Sequence, residues 1–426
     1  MSDATPPTRD EQVSAANWLD APYNRWSMWH VREICPTQVI SRGTGPVLAL
    51  PDRAERLDVD SVAVQRVDGS ADTLRSVLED TFTDAFAVLQ AGELAAEWYV
   101  PGGGPDQVHA VLSVTKSLVG CVAGVLLDRG VLDENKPIEK YVPELGTSGY
   151  AGASVRHLLD MRSGARFLED YQDPSADVRQ MDEWILGEHG LYAYLRTLGA
   201  ERPHGGHFLY RSSETDVLGW VCERASGSGM AELIGRFVWA PMGAASNAEI
   251  MSDNAGTAVH DGGLGATARD LLRFGQLVLN GGAVPAPAGG SRQVLPPHWL
   301  RQAWTVDADV RSAFVESPAE RSFPGGWYRN QFWFRVGEYG GVLLCMGIHG
   351  QLVYVSRRTD TVCVKLSSWP DAQNPAFLQD TLRACDAVSG ALTHQDATGD
   401  VHRLPGVVSG LSRGRTAGRP RPSVRP

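Results

Sequence analysis

Ser113 and Lys116 stand three residues apart where a helix is predicted to begin, and this spacing places both side chains on one helix face. Apolar residues recur at helical spacing from Leu118 to Leu127, which predicts an amphipathic helix with one buried face. Gly130 marks the predicted C-terminal end of this helix. A serine next to a lysine is a nucleophile next to a base. Since burial lowers the pKa of a lysine, a neutral Lys116 could exist near neutral pH and take the proton of Ser113.

Such a pair also arises by chance, so its interpretation depends on a third titratable group. Tyr210 is the best candidate, because it precedes Ser212 at the mouth of another predicted helix. A charged Lys116 would favour the tyrosinate form, and the two groups would then titrate as a coupled pair. The sequence leaves open which of them holds the proton. The plain alternative is a tyrosine at a helix boundary with its hydroxyl group in water.

An acyl-transfer site also needs N–H donors for an oxyanion, and the predicted strand that ends within 345–351 could supply one beside the helix start. Gly347 and Gly350 would permit close approach of a substrate, or they mark only a strand end and a turn. His349 is a base by residue type, although a lone histidine on a strand is more often structural or lines a substrate.

The composition is that of a soluble globular protein, since 43% of the 426 residues are hydrophobic and 21% are charged. No uninterrupted apolar run is long enough to cross a bilayer, and the polar first residues lack the features of a signal peptide. The net charge of −11 disfavours binding to nucleic acids. Six scattered cysteines, without a Cys-x-x-Cys motif, predict free thiols instead of disulfides or a zinc site. We therefore expect a cytoplasmic protein.

Predicted strands near both ends of the chain enclose a helical middle. Strands are predicted within 86–100 and again after residue 325. Residues 131–320 between them consist mainly of predicted helices and loops, with helices at 213–226 and 267–280.

This order of elements predicts a two-lobed α/β protein. One α/β lobe would be formed by 51–130 together with 321–395, and a helical lobe would be inserted at 131–320. Residues 1–50 would form a wrapping N-terminal arm. The Arg-rich residues 396–426 would form a disordered tail.

Three motifs in chain order resemble the serine β-lactamase and penicillin-recognising superfamily. These motifs are Ser113-x-x-Lys116, Tyr210-x-Ser212 and the glycine-containing strand at 345–350. The sequence segments 133–144, 155–164 and 262–271 also match, so the resemblance extends over most of the chain. It implies a β-lactamase-like α/β fold, in which helices flank an antiparallel sheet and a helical lobe is inserted.

The sequence further resembles the nylon-oligomer hydrolases of that superfamily. The stretches that carry this resemblance are 169–174, 347–351 and 364–371. It implies that Ser113 is the nucleophile, with Lys116 as its base and Tyr210 as the proton shuttle. The backbone N–H groups of Ser113 and Ile348 would form the oxyanion hole.

The same resemblance implies three contacts to the substrate. Tyr171 would reach the amide nitrogen of the substrate. Asp182 and Trp333 would line the cleft, and Asp182 could attract a cationic amine. Without the resemblance, these residues are a loop tyrosine, a carboxylate at a helix start and a core aromatic ring.

Three positions depart from the pattern of the superfamily. Ser212 stands where β-lactamases usually carry Asn, and the strand at 345–350 has no Lys-Thr-Gly motif. Both changes remove donors for β-lactam or peptidoglycan substrates. Asp261 occupies a cleft position where His or Asn would be expected, and a second carboxylate there would alter the substrate preference.

We therefore expect a serine hydrolase that cleaves esters and linear amides through an acyl-enzyme, without a metal or an organic cofactor. Its partner would be a small-molecule ester or amide, not a nucleic acid or a membrane, and a homodimer is one assembly left open. Two alternatives remain. One is a carboxylesterase of the class C β-lactamase-like branch without amidase activity. The other is a catalytically silent homologue that binds a ligand, which the joint presence of Ser113, Lys116 and Tyr210 argues against.

Overall fold

The computed structural model describes residues 13–286 and 289–399 of the chain. Its longer strands lie near the two ends of this part, and most of its helices lie between them. The strands are β1 (Thr37–Ile40), β2 (Ala63–Gln65), β3 (Ala71–Thr73), β4 (Thr83–Gln90), β5 (Glu93–Tyr99), β6 (His109–Ala110), β7 (Ala248–Met251), β8 (Leu264–Ala266), β9 (Ala283–Pro285), β10 (Ser291–Gln293), β11 (Trp327–Arg329), β12 (Phe332–Gly337), β13 (Gly340–Gly347), β14 (Gln351–Ser356) and β15 (Thr361–Ser367).

The α-helices include both of the helices that were predicted in the middle of the chain. They are α1 (Asn24–Ser27), α2 (Leu74–Asp80), α3 (Thr115–Asp128), α4 (Val155–Leu159), α5 (Asp177–Leu186), α6 (Leu191–Leu195), α7 (Ser212–Ser226), α8 (Met230–Ile234), α9 (Ala240–Met242), α10 (Ala268–Leu279), α11 (Pro297–Trp304), α12 (Ala308–Val315), α13 (Ala319–Ser322) and α14 (Pro375–Gly399). The predictions at 213–226 and 267–280 are confirmed by α7 and α10 to within one residue at each end.

A seven-stranded antiparallel sheet forms the centre of the structure, in the order β11-β12-β13-β14-β15-β4-β5. Side chains of β4 alternate between the two faces, as strand geometry requires. Ala85, Ala87 and Leu89 belong to the core that contains α3 and α10, whereas Phe86 and Val88 belong to the core that contains α14. Helices therefore cover both faces of an antiparallel sheet, which confirms the predicted fold class.

Helix α3, which follows Ser113, is buried on all sides instead of on one face. Residues from Thr115 to Leu126 are all buried. Neighbouring elements approach so closely that a Cβ atom on Gly120 would lie 2.7 Å from the Gln331 side chain, and one on Gly124 would lie 2.5 Å from the ring of Trp299. The predicted amphipathic pattern was thus wrong, because small and apolar residues on the second face are also packed against protein.

A second sheet, in the order β1-β7-β8-β6, holds the segment that leads into Ser113. His109 and Ala110 of β6 pair with Ala266 and Gly265 of β8. Strands β7 to β10 lie in the region that we expected to be mainly helices and loops. They contain only three or four residues each, too few to show the period-2 pattern from which strands are predicted.

The ends of the chain bear on two further predictions. Residues 1–12 of the predicted arm and 400–426 of the predicted tail lie outside the described residues, while 396–399 belong to α14. The division into an arm, two lobes and a tail stays a prediction. No helix within residues 13–286 and 289–399 is long and apolar enough to cross a bilayer.

Candidate active site

Ser113 lies in a short 3₁₀ turn, Leu112–Val114, that leads directly into α3. Leu112 has a φ of +45°, a left-handed conformation that a β-carbon makes costly, so surrounding contacts must hold it. Strand β8 supplies these contacts, because Val111 N donates to Leu264 O at 2.9 Å and Leu264 N donates to Thr115 Oγ1 at 3.0 Å. The turn presents Ser113 from a fixed backbone.

Lys116 joins Ser113 to two other segments of the chain. Its Nζ donates to Ser113 Oγ at 2.7 Å, to Ser212 Oγ at 3.0 Å and to the Asp261 carbonyl oxygen at 2.9 Å. The Asp261 carboxylate is also near, with Oδ2 at 3.4 Å. Lys116 is buried, so these contacts replace water around the amine.

The pKa of Lys116 shifts in the direction opposite to the one that burial alone would give. Burial lowers the pKa of the amine, but Tyr210, Asp261 and Glu169 together raise it by more, so the pKa lies above the ordinary lysine value. Burial alone would favour a neutral amine, but the raised pKa favours the charged one in the resting state. Tyr210, together with the carboxylates of Asp261 and Glu169, therefore outweighs burial and favours the charged amine.

Tyr210 completes the group around Ser113. Lys116 Nζ lies 5.1 Å from the centre of its ring, and Ser113 and Lys116 are among the groups that influence the pKa of its hydroxyl. Burial raises the pKa of Tyr210, and the nearby Lys116 charge only partly opposes this effect. Both partners hold their protons in the resting state, so the group must lose one proton before Ser113 can be deprotonated.

Glu169 is a functional candidate that the sequence did not single out. Its carboxylate accepts hydrogen bonds from Ser212 N at 2.6 Å, Ser212 Oγ at 2.8 Å and Tyr171 Oη at 2.8 Å. It thereby fixes Ser212, which accepts the bond from Lys116. The only signal was its place beside Tyr171, because Ser212 lies 43 positions away in the sequence.

Tyr171 is oriented by this carboxylate. Since its hydroxyl proton points to Glu169, the oxygen offers lone pairs in its other directions. An amide N–H of a substrate can donate to this oxygen, whereas an ester has no such proton. Tyr171 is thus placed to accept from an amide nitrogen that carries a hydrogen.

Two cavities meet at Ser113, where Ser113, Tyr171 and Ile348 line both of them. One has a volume of about 280 Å³ and is lined by Tyr210 and Trp333; we call it the Tyr210 cavity. The rings of Tyr210 and Trp333 stack with centres 5.2 Å apart. The other cavity, of about 510 Å³, is lined by Asp182 and Asp261, and we call it the Asp182 cavity.

The two carboxylates of the Asp182 cavity belong to different elements. Asp182 projects from α5, and partial burial and the charge of Asp261 raise its pKa, while Arg179 opposes the shift. Asp261 is positioned through its backbone, because its N–H donates to the buried Asp216 carboxylate at 3.1 Å. The eight predicted residues other than His349 therefore surround one cleft: Ser113, Lys116, Tyr171, Asp182, Tyr210, Asp261, Trp333 and Ile348.

His349 is not among the groups at Ser113. Its ring Nδ1 lies 2.7 Å from the Trp369 carbonyl oxygen, and burial lowers its pKa. The described linings of the two cavities do not include it. A direct role in proton transfer, one of the expectations for His349, is not supported by this position, because the ring is occupied in anchoring the loop after β13.

The roles of the two glycines, left open by the sequence, follow from packing. A Cβ atom on Gly347 would lie 2.6 Å from the Val111 carbonyl oxygen, in the segment before Ser113. Gly350 has a φ of +88°, and a Cβ atom there would lie 2.3 Å from the Trp369 ring. Both glycines allow the strand end to pack against protein, and this packing brings Ile348 to the nucleophile.

Within the part of the chain that the structure describes, no group of three or more His, Cys, Asp or Glu side chains could hold a metal ion. The six cysteines are buried and unpaired.

Comparisons with known proteins agree with this geometry. Residues 72–387 match the family model named Beta-lactamase. The 6-aminohexanoate-dimer hydrolase of Paenarthrobacter ureafaciens is 38% identical over 386 residues, which cover 87% of this chain and 94% of that protein. This similarity confirms the resemblance to nylon-oligomer hydrolases that the sequence motifs indicated.

Solved structures show the same fold. A candidate 6-aminohexanoate-dimer hydrolase from Bacillus anthracis superposes with a TM-score of 0.77 at 26% identity, covering 94% of this chain and all of that one. A D-stereospecific amidohydrolase from Streptomyces superposes with a TM-score of 0.53 at 18% identity, covering 71% of this chain and 94% of that one. The second likeness shows the fold alone.

Proposed function

This chain belongs to the beta-lactamase family, and we propose that its Ser113, Lys116 and Tyr210 carry out hydrolysis of linear amides and esters through an acyl-enzyme. As the family and the 38% identical relative show, the protein is a serine hydrolase of ester and amide bonds. The observation that carries the proposal is the 2.7 Å hydrogen bond between Lys116 Nζ and Ser113 Oγ at the junction of two cavities.

The first half-reaction acylates Ser113. Once the Lys116–Tyr210 pair has lost a proton, it takes the proton of Ser113, and Oγ forms a bond to the substrate carbonyl carbon. The backbone N–H groups of Ser113 and Ile348 stabilise the oxyanion, helped by the N-terminus of α3. The tetrahedral intermediate collapses as Tyr210 gives a proton to the leaving nitrogen or oxygen and the bond to the carbonyl carbon breaks.

The second half-reaction returns the free enzyme. A water molecule gives a proton to the same pair and bonds to the acyl carbon. The bond from the carbonyl carbon to Ser113 Oγ then breaks, Oγ regains its proton, and the carboxylic acid leaves. All proton transfers pass through side chains of this chain, so the proposal requires no metal or organic cofactor.

Linear aminohexanoate oligomers are the proposed amide substrates. Asp182 and Asp261 give the Asp182 cavity two carboxylates, which suit the ammonium group at the amino end of such a chain. The relative named as a 6-aminohexanoate-dimer hydrolase supports this choice. Release of product from the linear dimer and from p-nitrophenyl acetate tests the proposal, and hydrolysis of the ester alone would favour a carboxylesterase without amidase activity.

Asp261→Asn is expected to move the acidic limb of the pH profile to lower pH by about one unit. Asp261 raises the pKa of Lys116, and the active form is the one that has lost a proton. Removing the carboxylate lowers that pKa, so the active form is reached at lower pH. The measurement is kcat/KM for p-nitrophenyl acetate across the neutral range. Asp170→Asn, which neutralises an exposed carboxylate nearby, serves as the control. If the acidic limb of the pH profile stays in place or moves to higher pH, Asp261 does not raise the pKa of Lys116 in the way proposed.

Tyr171→Phe is expected to lower kcat/KM for the linear dimer by about tenfold and to leave p-nitrophenyl acetate hydrolysis nearly unchanged. The variant removes the oxygen that would accept the amide N–H, a proton that esters lack. Parallel assays of the two substrates measure the ratio of the activities. An equal decrease in kcat/KM for both substrates would mean that Tyr171 stabilises the site as a whole and does not contact the amide N–H.

We also propose a reducing, cytoplasmic location, with a homodimer as the assembly to be tested. Support for the location comes from the cysteines, because all six are thiols buried in the described part and none is in a disulfide. The mass of the purified protein in solution tests the assembly.

A further inference from the structure

We propose that helix α1 is a positioning element of the active site, in which Asn24 and Arg25 fix the backbone of Ile348 relative to that of Ser113. This inference rests on the proposed function, because it concerns the oxyanion hole at the same nucleophile, and it adds two positioning residues to it. Neither of them is among the described lining residues of the Tyr210 cavity or the Asp182 cavity, so both act through other residues.

The turn that carries Ile348 depends on contacts from outside itself. His349 has a φ of +56°, a left-handed conformation that is costly for a residue with a β-carbon. Its N–H donates to the Ala372 carbonyl oxygen at 2.8 Å, and its carbonyl oxygen accepts a hydrogen bond from Trp369 N at 3.2 Å. Its ring Nδ1 lies 2.7 Å from the Trp369 carbonyl oxygen. Segment 368–372, which follows β15, therefore determines where the backbone of Ile348 lies.

Helix α1 holds this segment through two consecutive side chains. Asn24 is buried, and its Nδ2 donates to the Trp369 carbonyl oxygen at 2.8 Å. The same oxygen lies beside the His349 ring, so the helix and the turn meet at one acceptor. Arg25 adds a second bond, because its guanidinium donates to Ser368 Oγ at 3.1 Å. A displacement of α1 would therefore displace this segment and the turn with it.

The same helix is also tied to the strand that leads into the nucleophile. The Arg25 guanidinium lies 3.2 Å from one carboxylate oxygen of Asp84, and the other oxygen lies 3.2 Å from His109 Nε2. Asp84 and His109 are both buried, so salt screens these interactions little. His109 begins β6, in which Ala110 N donates to the carbonyl oxygen of Met28, the residue after α1, at 2.7 Å. Helix α1 and the residue after it thus contact the supports of both proposed oxyanion donors.

The position of an oxyanion donor affects the transition state more than it affects the bound substrate. The N–H groups of Ser113 and Ile348 would meet a full negative charge only in the tetrahedral intermediate. A displacement of about 1 Å at such a site lowers the rate by about a hundredfold. Loss of the α1 contacts should therefore slow acylation in protein that remains folded.

Asn24→Leu tests the proposal, because leucine keeps the branched shape of asparagine and removes the amide donor. We expect kcat/KM for p-nitrophenyl acetate to fall by at least about tenfold. The affinity for phenylboronic acid should fall in parallel, since its boron bonds to Ser113 Oγ and one of its oxygens then occupies the oxyanion hole. Gln38→Leu is the matched control. It removes an amide that donates to the Gly256 carbonyl oxygen at 2.7 Å, outside the contacts of α1, and should behave as wild type.

Arg25 provides a second pair of variants at a partly exposed position. Arg25→Lys keeps a cation for Asp84 and a donor for Ser368, and its kcat/KM should stay within about threefold of wild type. Arg25→Met removes both, and its kcat/KM should fall by at least about tenfold. Thermal unfolding shows which variants are folded. A merely structural role would lower the midpoint of thermal unfolding and leave kcat/KM and the boronic acid affinity of the folded protein unchanged.

The outcomes separate this inference from the proposed function. Wild-type kcat/KM and boronic acid affinity in folded Asn24→Leu and Arg25→Met would overturn the inference and leave the proposed function standing. If Asn24→Leu does not fold, the comparison of Arg25→Met with Arg25→Lys decides the question. If the wild type neither hydrolyses the ester nor binds the boronic acid, the proposed function itself is overturned.

Discussion

Lys116→Met is expected to lower kcat for p-nitrophenyl acetate hydrolysis by on the order of a thousandfold. The variant removes the amine that lies 2.7 Å from Ser113 Oγ and 5.1 Å from the centre of the Tyr210 ring. The tyrosine then also loses the charge that opposes the upward shift of its pKa. The variant therefore has neither the amine nor a tyrosinate to accept the serine proton near neutral pH. Steady-state kinetics with the ester measure the loss.

Two further variants separate catalysis from folding. Lys116→Met leaves the Asp261 and Glu169 carboxylates without their cation, which can destabilise the site. Lys116→Arg keeps the positive charge but cannot give up its proton, so it should remain folded and be similarly inactive. Lys140→Met changes an exposed lysine and should behave as wild type. Activity of Lys116→Met within tenfold of wild type would exclude Lys116 from proton transfer.

Ser113→Ala has the largest expected effect, a loss of at least about ten-thousandfold in kcat for both p-nitrophenyl acetate and the linear dimer. The variant deletes only the atom that forms the covalent bond and leaves the cavities in place, so substrate binding should persist. Ser117→Ala, one turn further along α3, removes a hydroxyl that donates to the Gln331 carbonyl oxygen at 2.9 Å. It should cost stability of about 1 kcal/mol and retain activity. Near-wild-type turnover by Ser113→Ala would show that another group attacks the carbonyl.

Local features of the site were predictable, because the residues that form them are neighbours in sequence. Ser113 and Lys116 share a face of one helical segment, and Tyr210 stands at the start of α7 as predicted. The resemblance to a known superfamily supplied the long-range relations. Residue type and place had made Tyr210 a candidate, but only the resemblance brought it, 97 positions later in the chain, to Ser113.

The features that we did not predict from the sequence depend on contacts between distant segments. The raised pKa of Lys116 follows from Tyr210 and from the carboxylates of Asp261 and Glu169, all of which come from distant segments, so burial alone gave the wrong direction. His349 has the residue type of a base, but its ring is held by the Trp369 carbonyl oxygen. Complete burial of α3 likewise results from packing of remote elements against Gly120 and Gly124.

The strands also differ in whether local sequence or long-range contacts determine them. Strand β4 was predictable from its apolar run, whereas β7 and β8 form only because short segments pair with β1 and β6. These pairings hold the turn that carries Ser113, although no periodic pattern marks them. Tertiary pairing therefore decides strands that are too short to be predicted from local sequence.

The most direct measurement is the mass of the protein after rapid acid quenching of its reaction with p-nitrophenyl acetate, followed by peptide mapping. The account predicts a protein heavier by one acetyl group, with the addition on the peptide that contains Ser113 and absent from Ser113→Ala. An acetyl group found on a different residue during turnover, or one retained in Ser113→Ala with undiminished kinetics, would contradict the assignment of Ser113 as the nucleophile.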